Sequence, residues 1–308
     1  MTERKSREMI RVRPSFADRF ACTASRCAHS CCIGWEIDID PASRALYASV
    51  GGELGKELAE KISVGDEPHF LLGADERCPF LNEQNLCRLI LSLGEDALCD
   101  VCAEHPRFYN CFPGREEMGL GLCCEEVVRL LVHGEDFMLL AEDDGGDESR
   151  DEWAESLAAL RAELFAIVRR GEWSFLCRMD AALSRLGAEL PAFRAPEWAR
   201  FLLTLERMDE CWTQELALLA SAPESAELES ALEAPRYERI FRYLLYRHLI
   251  TAEDEADARR RLRFCALTVL LLCTLDLAEA GWEDEHLRLW SAEIEYSDEN
   301  LRKICEML

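Results

Sequence analysis

The feature that most constrains this chain is the concentration of cysteine between Cys22 and Cys124. Eleven of the sixteen cysteines lie in this stretch. Ten of these follow the spacings C-x4-C-x3-C-C from Cys22, C-P-x7-C from Cys78, C-x2-C from Cys99 and C-C at Cys123, and the eleventh is Cys111. Such a density of closely spaced thiols indicates either a disulfide framework or a centre that binds a soft metal.

Chain length and the amino-terminal sequence favour metal binding over disulfides. Disulfide frameworks belong to short secreted chains, whereas this chain has 308 residues, of which 49% are hydrophobic. The start, MTERKSREMIRVRPSF, is charged and has no apolar signal region, which predicts a cytoplasmic protein with reduced thiols. The thiols exceed the four that one zinc site needs. An iron–sulfur centre is therefore favoured, with zinc left open as the alternative.

Eight cysteines are predicted to hold the metal, either as one iron–sulfur cluster with spare thiols or as two clusters. They are Cys22, Cys27, Cys31, Cys32, Cys78, Cys87, Cys102 and Cys123. The pair Cys99 and Cys102 also has the spacing of a thiol–disulfide oxidoreductase, but the βαβ pattern that usually carries such a pair is missing. Trp35, shortly after the first vicinal pair, is a candidate to shield the centre or to line a pocket.

Net charge and hydropathy restrict the possible partners. Sixty acidic against thirty-five basic residues give a formal charge of -25. Such a field repels phosphate backbones, which argues against nucleic-acid binding, and it permits a partner that carries lysines. The most apolar run, residues 264–277, is too short to cross a bilayer and contains Asp276. The sequence therefore predicts a buried core helix there and no membrane span.

The fold is predicted to be mainly α-helical. Many glycines and prolines interrupt residues 1–141, which predicts a loop-rich cysteine and metal-binding half with short helices. An acidic run with two glycines, residues 142–152, is the predicted linker. Apolar stripes at helical spacing then predict an α-helical bundle over residues 153–308. No long alternating pattern is present, so a large parallel sheet is not expected.

Local signals place several helices. Asp40 as N-cap and Pro41 at the first position predict one helix start. Apolar residues at helical spacing predict another helix over about residues 125–140. Apolar residues at helical spacing also follow Pro196 and Pro235. They predict one helix over residues 196–212 and another that begins at Pro235.

Several common enzyme motifs are absent from the sequence. No G-x-G-x-x-G follows a strand pattern, and no Walker loop, G-x-S-x-G or H-E-x-x-H occurs. Standard nucleotide-binding, hydrolase and metalloprotease functions thereby lose their main support. The residues alone predict an acidic, α-rich metalloprotein with a soft-metal centre in its first half.

Taken together, the cysteine motifs resemble the flagellin lysine-N-methylase family. The stretches that carry the resemblance are C-x4-C-x3-CC-x2-W-x-I-x-ID, CPFLNEQNLCRLILSLGEDALC, CAEHPRFYN and LCCEEVVRLL. A further match, WSAEIEYSDENL at residues 290–301, lies far from these cysteines. The resemblance spans nearly the whole chain, although its middle is generic helix.

The resemblance implies transfer of methyl groups from S-adenosylmethionine to lysine ε-amines of a surface protein such as flagellin. It also implies a four-iron four-sulfur cluster bound by the eight cysteines named above. Arg107 matches the arginine of the family's third cysteine motif, where it would contact a carboxylate or a cluster sulfur. Trp35 and Arg107 are therefore the predicted cofactor-binding residues.

A lysine methylase must hold a neutral amine in line with the methyl group, which requires nearby carboxylates or a pocket of low dielectric. The candidate catalytic residues are Glu293, Glu295, Tyr296 and Asn300, and the alternative is a capped, solvent-facing helix end. Trp290, Ala292 and Tyr296 depart from the family's pattern, so a substrate other than flagellin stays open. A second alternative is a non-catalytic cysteine-rich module that chelates zinc or iron.

Overall fold

Helices dominate the part of the chain that the computed structural model describes, residues 9–73, 76–143, 150–222 and 227–308. These residues contain fourteen α-helices and one four-stranded sheet. The prediction of a mainly α-helical protein is therefore confirmed. The sheet was not predicted.

The sheet has the strand order β2-β3-β1-β4. Its strands are β1 (Ile10–Pro14), β2 (Arg107–Phe112), β3 (Arg115–Leu120) and β4 (Leu139–Asp143). Strand β1 pairs parallel to β3, with Ile10 opposite Arg115, and antiparallel to β4, with Pro14 opposite Leu139. The hydroxyl of Tyr246 donates to the carbonyl of Met118 at 2.7 Å and lies 3.1 Å from that of Val12, so the helix that carries Tyr246 contacts two strands of the sheet.

Charged residues within the strands explain why the sheet escaped prediction. Arg13 of β1 forms an ion pair with Glu142 of β4 at 2.8 Å. Glu117 of β3 is completely buried. Its carboxylate forms ion pairs with Arg115 at 2.9 Å and with Arg161 at 2.6 Å. These pairs stabilise the sheet but disrupt the apolar alternation that marks a strand in a sequence.

Four short helices lie in the cysteine-rich part of the chain. They are α1 (Pro41–Ser49), α2 (Gly52–Lys61), α3 (Arg88–Leu93) and α4 (Asp100–Glu104). Helix α1 begins as predicted, because the Asp40 carboxylate accepts hydrogen bonds from the backbone N–H groups of Ala42 and Ser43. Its Tyr47 packs in a small apolar core with Phe70.

Ten further helices follow. They are α5 (Glu125–Val132), α6 (Glu152–Val168), α7 (Phe175–Ser184), α8 (Ala195–Leu202), α9 (Glu210–Ser221), α10 (Leu228–Ala231), α11 (Pro235–Leu249), α12 (Glu255–Ala278), α13 (Glu283–Trp290) and α14 (Asp298–Met307). A single π-helical turn, Ser291–Glu295, lies between α13 and α14. Residues 264–276 of α12 are buried throughout, so the predicted core helix is confirmed.

Two predicted helices are shorter than expected. Helix α5 ends at Val132 instead of continuing to residue 140, because the chain turns at Gly134 and then forms β4. The stripe over residues 196–212 is divided between α8 and α9, since residues 203–209 leave the helical conformation. Within the described ranges, none of the helices has both the length and the apolar run that a bilayer crossing requires.

The described residues divide into two compact units. The cysteine unit comprises Ala21–Phe108 and Cys124–Glu126. The helical unit comprises the described residues of Met1–Phe20, Tyr109–Cys123 and Val127–Leu308. These bounds differ from the predicted ranges 1–141 and 153–308, since strand pairing joins β1 and β3 to β4. Residues 144–149 of the predicted linker lie outside the described residues.

Candidate functional site

Five thiols lie in and around the apolar core of the cysteine unit. We call Cys32, Cys78, Cys87, Cys99 and Cys102 the inner thiol group. Cys78 and Cys99 are buried in the core, and the other three pack against it. The backbone N–H of Cys78 donates to the carbonyl of Cys32 at 2.8 Å, and that of Cys102 to the carbonyl of Cys99 at 2.9 Å. Separate loops and helix ends therefore converge on one region.

The thiols of the inner group influence one another's ionisation. A hydrogen bond between the Cys99 and Cys102 side chains raises the pKa of Cys102 and lowers that of Cys99. Burial raises the pKa of Cys78 to about 12, and the nearby charges of Cys32 and Cys87 add to the increase. Burying several neighbouring cysteines disfavours their deprotonated forms, because the thiolates lose hydration and repel one another. A bound metal would compensate this negative charge.

A second set of thiols surrounds the first vicinal pair. We call Cys22, Cys27, Cys31 and Cys124 the outer thiol group. The charges of Cys22 and Cys124 both raise the pKa of Cys31, and Cys124 also contributes to the raised pKa of Cys27. The Glu125 carboxylate accepts a hydrogen bond from the backbone N–H of Ala28 at 3.0 Å. This bond holds the segment between Cys27 and Cys31 beside Cys124.

The vicinal pair links the two groups. The hydrogen bond between the Cys31 and Cys32 side chains raises the pKa of Cys31 and lowers that of Cys32 to about 7. Ser30 and Arg77 also stabilise the Cys32 thiolate. Cys31 of the outer thiol group is thus in direct contact with Cys32 of the inner thiol group.

All sixteen cysteines lie in the described residues, and none of them forms a disulfide. The donor set of the cysteine unit is therefore nine thiols in two groups, which suits a soft metal centre. Among the described residues, no three cysteine sulfurs lie within 4.8 Å of one another. The thiols are thus gathered but not closed around a single point.

Trp35 and His105 flank the thiol groups. The Trp35 indole N–H donates to the carbonyl of Cys31 at 2.6 Å, and its ring lies 6.1 Å from that of His105. Trp35 also packs against the core that holds the inner thiol group. Burial lowers the pKa of His105, which favours its neutral form. Arg107, the other predicted cofactor contact, is half-buried at the start of β2.

The cysteine unit also has an acidic groove of about 850 Å³. Its acidic lining residues are Asp38, Asp40, Asp66, Glu67 and Asp100. Arg44 is the basic residue in the lining. Asp100 and Val101 belong to the groove while their neighbours Cys99 and Cys102 belong to the inner thiol group. The wall of the groove is therefore continuous in sequence with the thiols.

In the helical unit, two predicted catalytic residues bind backbone. The Glu293 carboxylate is buried and accepts from the backbone N–H of Asp209 at 2.7 Å and of Met208 at 3.0 Å. The Asn300 side-chain amide donates to the carbonyls of Glu206 and Glu293, both at 2.9 Å. These contacts hold the loop before α9 against the π-helical turn.

Glu295 lies in a buried ionic cluster. Its carboxylate is 2.6 Å from His248 Nε2 and 3.5 Å from Arg247 Nε. Burial alone would raise the pKa of Glu295, but the charges of Arg247 and His248 lower it to about 2. Burial lowers the pKa of His248. The carboxylate is therefore a fixed anion, paired with the Arg247 guanidinium and bonded to the imidazole.

Tyr296 is the most open of the four predicted catalytic residues. It is 45% exposed, while its ring lies 4.8 Å from the Arg247 guanidinium. Its hydroxyl contacts Cys123 and fits against Gly121, where a Cβ atom would come within 1.8 Å of it. Burial of this end raises the pKa of the phenol. The predicted solvent-facing helix end is thus mostly buried, although Ser297 does cap α14.

The structure brings two thiols that were not in the predicted ligand set, Cys99 and Cys124, into the thiol groups. Cys99 belongs to the inner thiol group and Cys124 to the outer group. The pair C-x2-C was the available signal for Cys99, and the vicinal pair was the signal for Cys124. Cys123 lies in the helical unit beside Tyr296. Its role as a metal ligand stays a prediction.

Comparison with known proteins supports the resemblance seen in the sequence. The chain is 29% identical over 143 residues to a Lysine-N-methylase of Salmonella typhimurium, an alignment that covers 44% of this chain and 36% of that protein. It is also 29% identical over 143 residues to the Flagellar biosynthetic protein FliU of Salmonella muenchen, of which 85% is covered.

A Lysine-N-methylase of Salmonella choleraesuis matches at the same identity and is covered over 36% of its length. The aligned residues thus span little more than a third of the two methylases. No family model matches the chain, and no solved structure matches it. The predicted resemblance to lysine-N-methylases is confirmed over 44% of this chain, whereas the sequence motifs predicted it over nearly the whole chain.

Proposed function

We propose that this protein is an S-adenosylmethionine-dependent protein-lysine N-methyltransferase that holds an iron–sulfur cluster in its cysteine unit. The observation that carries the proposal is the gathering of nine thiols beside an acidic groove, in a chain similar to proteins named Lysine-N-methylase. The thiols support the cluster, and the similarity supports the methyl transfer.

The inner thiol group would supply the four ligands of one cluster and retain one spare thiol. The outer thiol group has the four thiols that a second cluster would need. The cysteine unit holds nine thiols, more than the four that a single zinc site needs, which supports a centre with several irons. When bound, a cluster would tie the loops of the cysteine unit together.

The acidic groove is the proposed site for the substrate lysine. Carboxylates attract an ammonium group, and Asp38, Asp66 and Glu67 lie where the side chain of a docked protein can reach them. In the reaction, the new N–C bond forms as the C–S bond of the sulfonium breaks, and the amine proton passes to a carboxylate or to water. Trp35 and Arg107 stay the proposed cofactor contacts.

The proposal assigns different roles to the four residues near the carboxyl end. Tyr296 is the proposed catalytic residue, because its ring is accessible and its hydroxyl is fixed beside Gly121. Glu295 is a positioning residue, because its contact with Arg247 holds the guanidinium beneath the tyrosine ring. Glu293 and Asn300 position the π-helical turn through their bonds to backbone.

The proposed partner is a lysine-bearing protein of flagellin type, met in the cytoplasm. The relative named Flagellar biosynthetic protein supports this substrate class. The acidic charge of the chain supports a basic binding surface on the partner.

Anaerobic purification tests the cluster. The protein should be brown and contain iron and acid-labile sulfide. Calorimetry of the cluster-loaded protein should then detect S-adenosylmethionine, and mass spectrometry should find added methyl groups on flagellin or on lysine-rich proteins of the same cell. Glu67→Gln should raise KM for the protein substrate, whereas Glu60→Gln on the exposed face of α2 should leave it unchanged.

Two outcomes would contradict the proposal. Stoichiometric zinc without sulfide would replace the enzyme by the non-catalytic chelating module. Cluster-loaded protein that binds no S-adenosylmethionine and methylates no lysine would remove the methyltransferase activity while leaving the cluster in place.

A further inference from the structure

The helical unit contains a set of metal-ligating side chains that involves none of the cysteines. Glu215 lies on α9, Glu279 directly follows α12, and His286 lies on α13. One donor atom from each of the three lies within 4.8 Å of the others. Glu215 and His286 are buried, and Glu279 is half-buried.

The imidazole of His286 is oriented with one nitrogen toward this set. Its Nδ1 lies 2.8 Å from Asp276 Oδ1, and the ring is completely buried. With a cation bound, Nδ1–H would donate to Asp276 and Nε2 would present its lone pair to the metal. Asp276 is itself held by the Tyr237 hydroxyl, which donates to it at 2.7 Å. A carboxylate behind an imidazole in this way is a common arrangement at metal-binding histidines.

Two buried polar atoms face each other without a hydrogen bond. His286 Nε2 and Glu215 Oε2 are 3.1 Å apart, yet neither has a hydrogen-bond partner among the described residues. The cost of burying them is removed if a cation accepts electron pairs from both.

The turn between α12 and α13 brings the ligands together. Gly281 adopts φ +94°, a left-handed conformation that glycine allows at low cost. The chain thereby reverses within four residues, Glu279–Trp282, so that the end of α12 and the start of α13 face α9. The site thus joins three elements of one compact unit.

We propose that Glu215, Glu279 and His286 bind a divalent cation, with Asp276 as the positioning residue behind the imidazole. Two carboxylates and one imidazole suit Mn²⁺, Fe²⁺ or Zn²⁺. The hard oxygen donors distinguish this site from the thiol groups, which favour softer metals. The site is independent of the proposed methyltransferase activity.

Binding of Mn²⁺ tests the site, because Mn²⁺ prefers oxygen and nitrogen ligands over thiolates. Full-length, cluster-loaded protein is titrated with Mn²⁺, and the free ion is followed by electron paramagnetic resonance. We expect one bound Mn²⁺ per chain and a rise in Tm on binding. Glu279→Gln and Glu215→Gln should each weaken binding by at least about tenfold. The control Glu210→Gln changes the same charge at an exposed position of α9 and should bind like the wild type.

The buried substitution Glu215→Gln could impair folding by itself. Glu279→Gln avoids this problem, because Glu279 is half-buried and lies outside the helices. Circular dichroism establishes that each variant is folded. A wild-type protein that binds no Mn²⁺ would overturn the proposal, and so would a folded Glu279→Gln variant with wild-type affinity. His286 would then be an imidazolium held between Asp276 and Glu215.

Discussion

At the scale of single residues, the helical unit buries charge in paired sets. Glu117 is completely buried with Arg115 and Arg161, and Glu295 is buried with Arg247. A buried carboxylate is tolerated only when cations and hydrogen bonds replace its hydration. Removing one partner is therefore expected to cost more than removing an exposed ion pair.

Glu295→Gln should lower the free energy of unfolding by about 3 kcal/mol near pH 7, the value that corresponds to a pKa moved from 4.5 to about 2. Because the pKa is depressed in the folded state, this stabilisation is present above about 4.5 and is lost as the pH falls toward about 2. Urea unfolding of both proteins across this range measures the difference. The exposed control Glu299→Gln should show almost none. A difference that stays constant down to the lowest pH would exclude the ionic explanation.

Cys99→Ser should release most of the bound iron, although Cys99 was not among the eight cysteines predicted as ligands. The reason is its buried position among the inner thiol group, where a serine hydroxyl cannot replace a thiolate ligand. Iron and sulfide analysis of anaerobically purified protein measures the loss. Cys211→Ser, at an exposed position of α9, is the matched control and should retain wild-type iron. If both variants contain the same amount of iron, Cys99 is not a ligand of the metal centre.

At the scale of elements, one side chain organises the start of two helices in the cysteine unit. Asp40 caps α1 through Ala42 and Ser43, and its other oxygen accepts from the backbone N–H of Asp100 at 3.0 Å. Asp100 begins α4, which carries Cys102. The cap of α1 therefore also fixes the position of part of the inner thiol group.

Asp40→Ala should destabilise the cysteine unit by about 1–2 kcal/mol, because unpaired N–H groups are left at two helix starts. Faster loss of iron to a chelator is the expected readout, since metal retention depends on the folded unit. Asp40→Asn keeps a capping oxygen and should restore most of the retention. If alanine and asparagine release iron at the same rate, capping is not the cause.

At the scale of the whole molecule, the charge of -25 is the dominant property. Encounter with a lysine-rich protein should be faster than with a neutral one, and salt should screen this advantage over a Debye length of about 8 Å near physiological ionic strength. We expect kcat/KM for a basic protein substrate to fall as NaCl rises from about 0.05 to about 0.5 M. A short lysine peptide without net charge should change little. Equal salt dependence of the two substrates would contradict electrostatic steering.

Features that depend on local chemistry could be predicted from the amino-acid sequence. Asp40 and Pro41 started α1, the apolar run at residues 264–276 became a buried helix, and the cysteine spacings indicated reduced thiols gathered in one half of the chain. Each of these follows from neighbours along the chain, so a short window of sequence contains the whole physical reason.

The contacts between side chains far apart in the chain became visible in the folded protein. The structure assigned Cys31 and Cys32 to different thiol groups, added Cys99 to the inner group and placed Cys123 beside Tyr296. It also turned the charged stretches of β1 and β3 into a sheet by pairing their charges across strands and helices. These outcomes depend on contacts between residues far apart in the chain, whose energies no local pattern encodes.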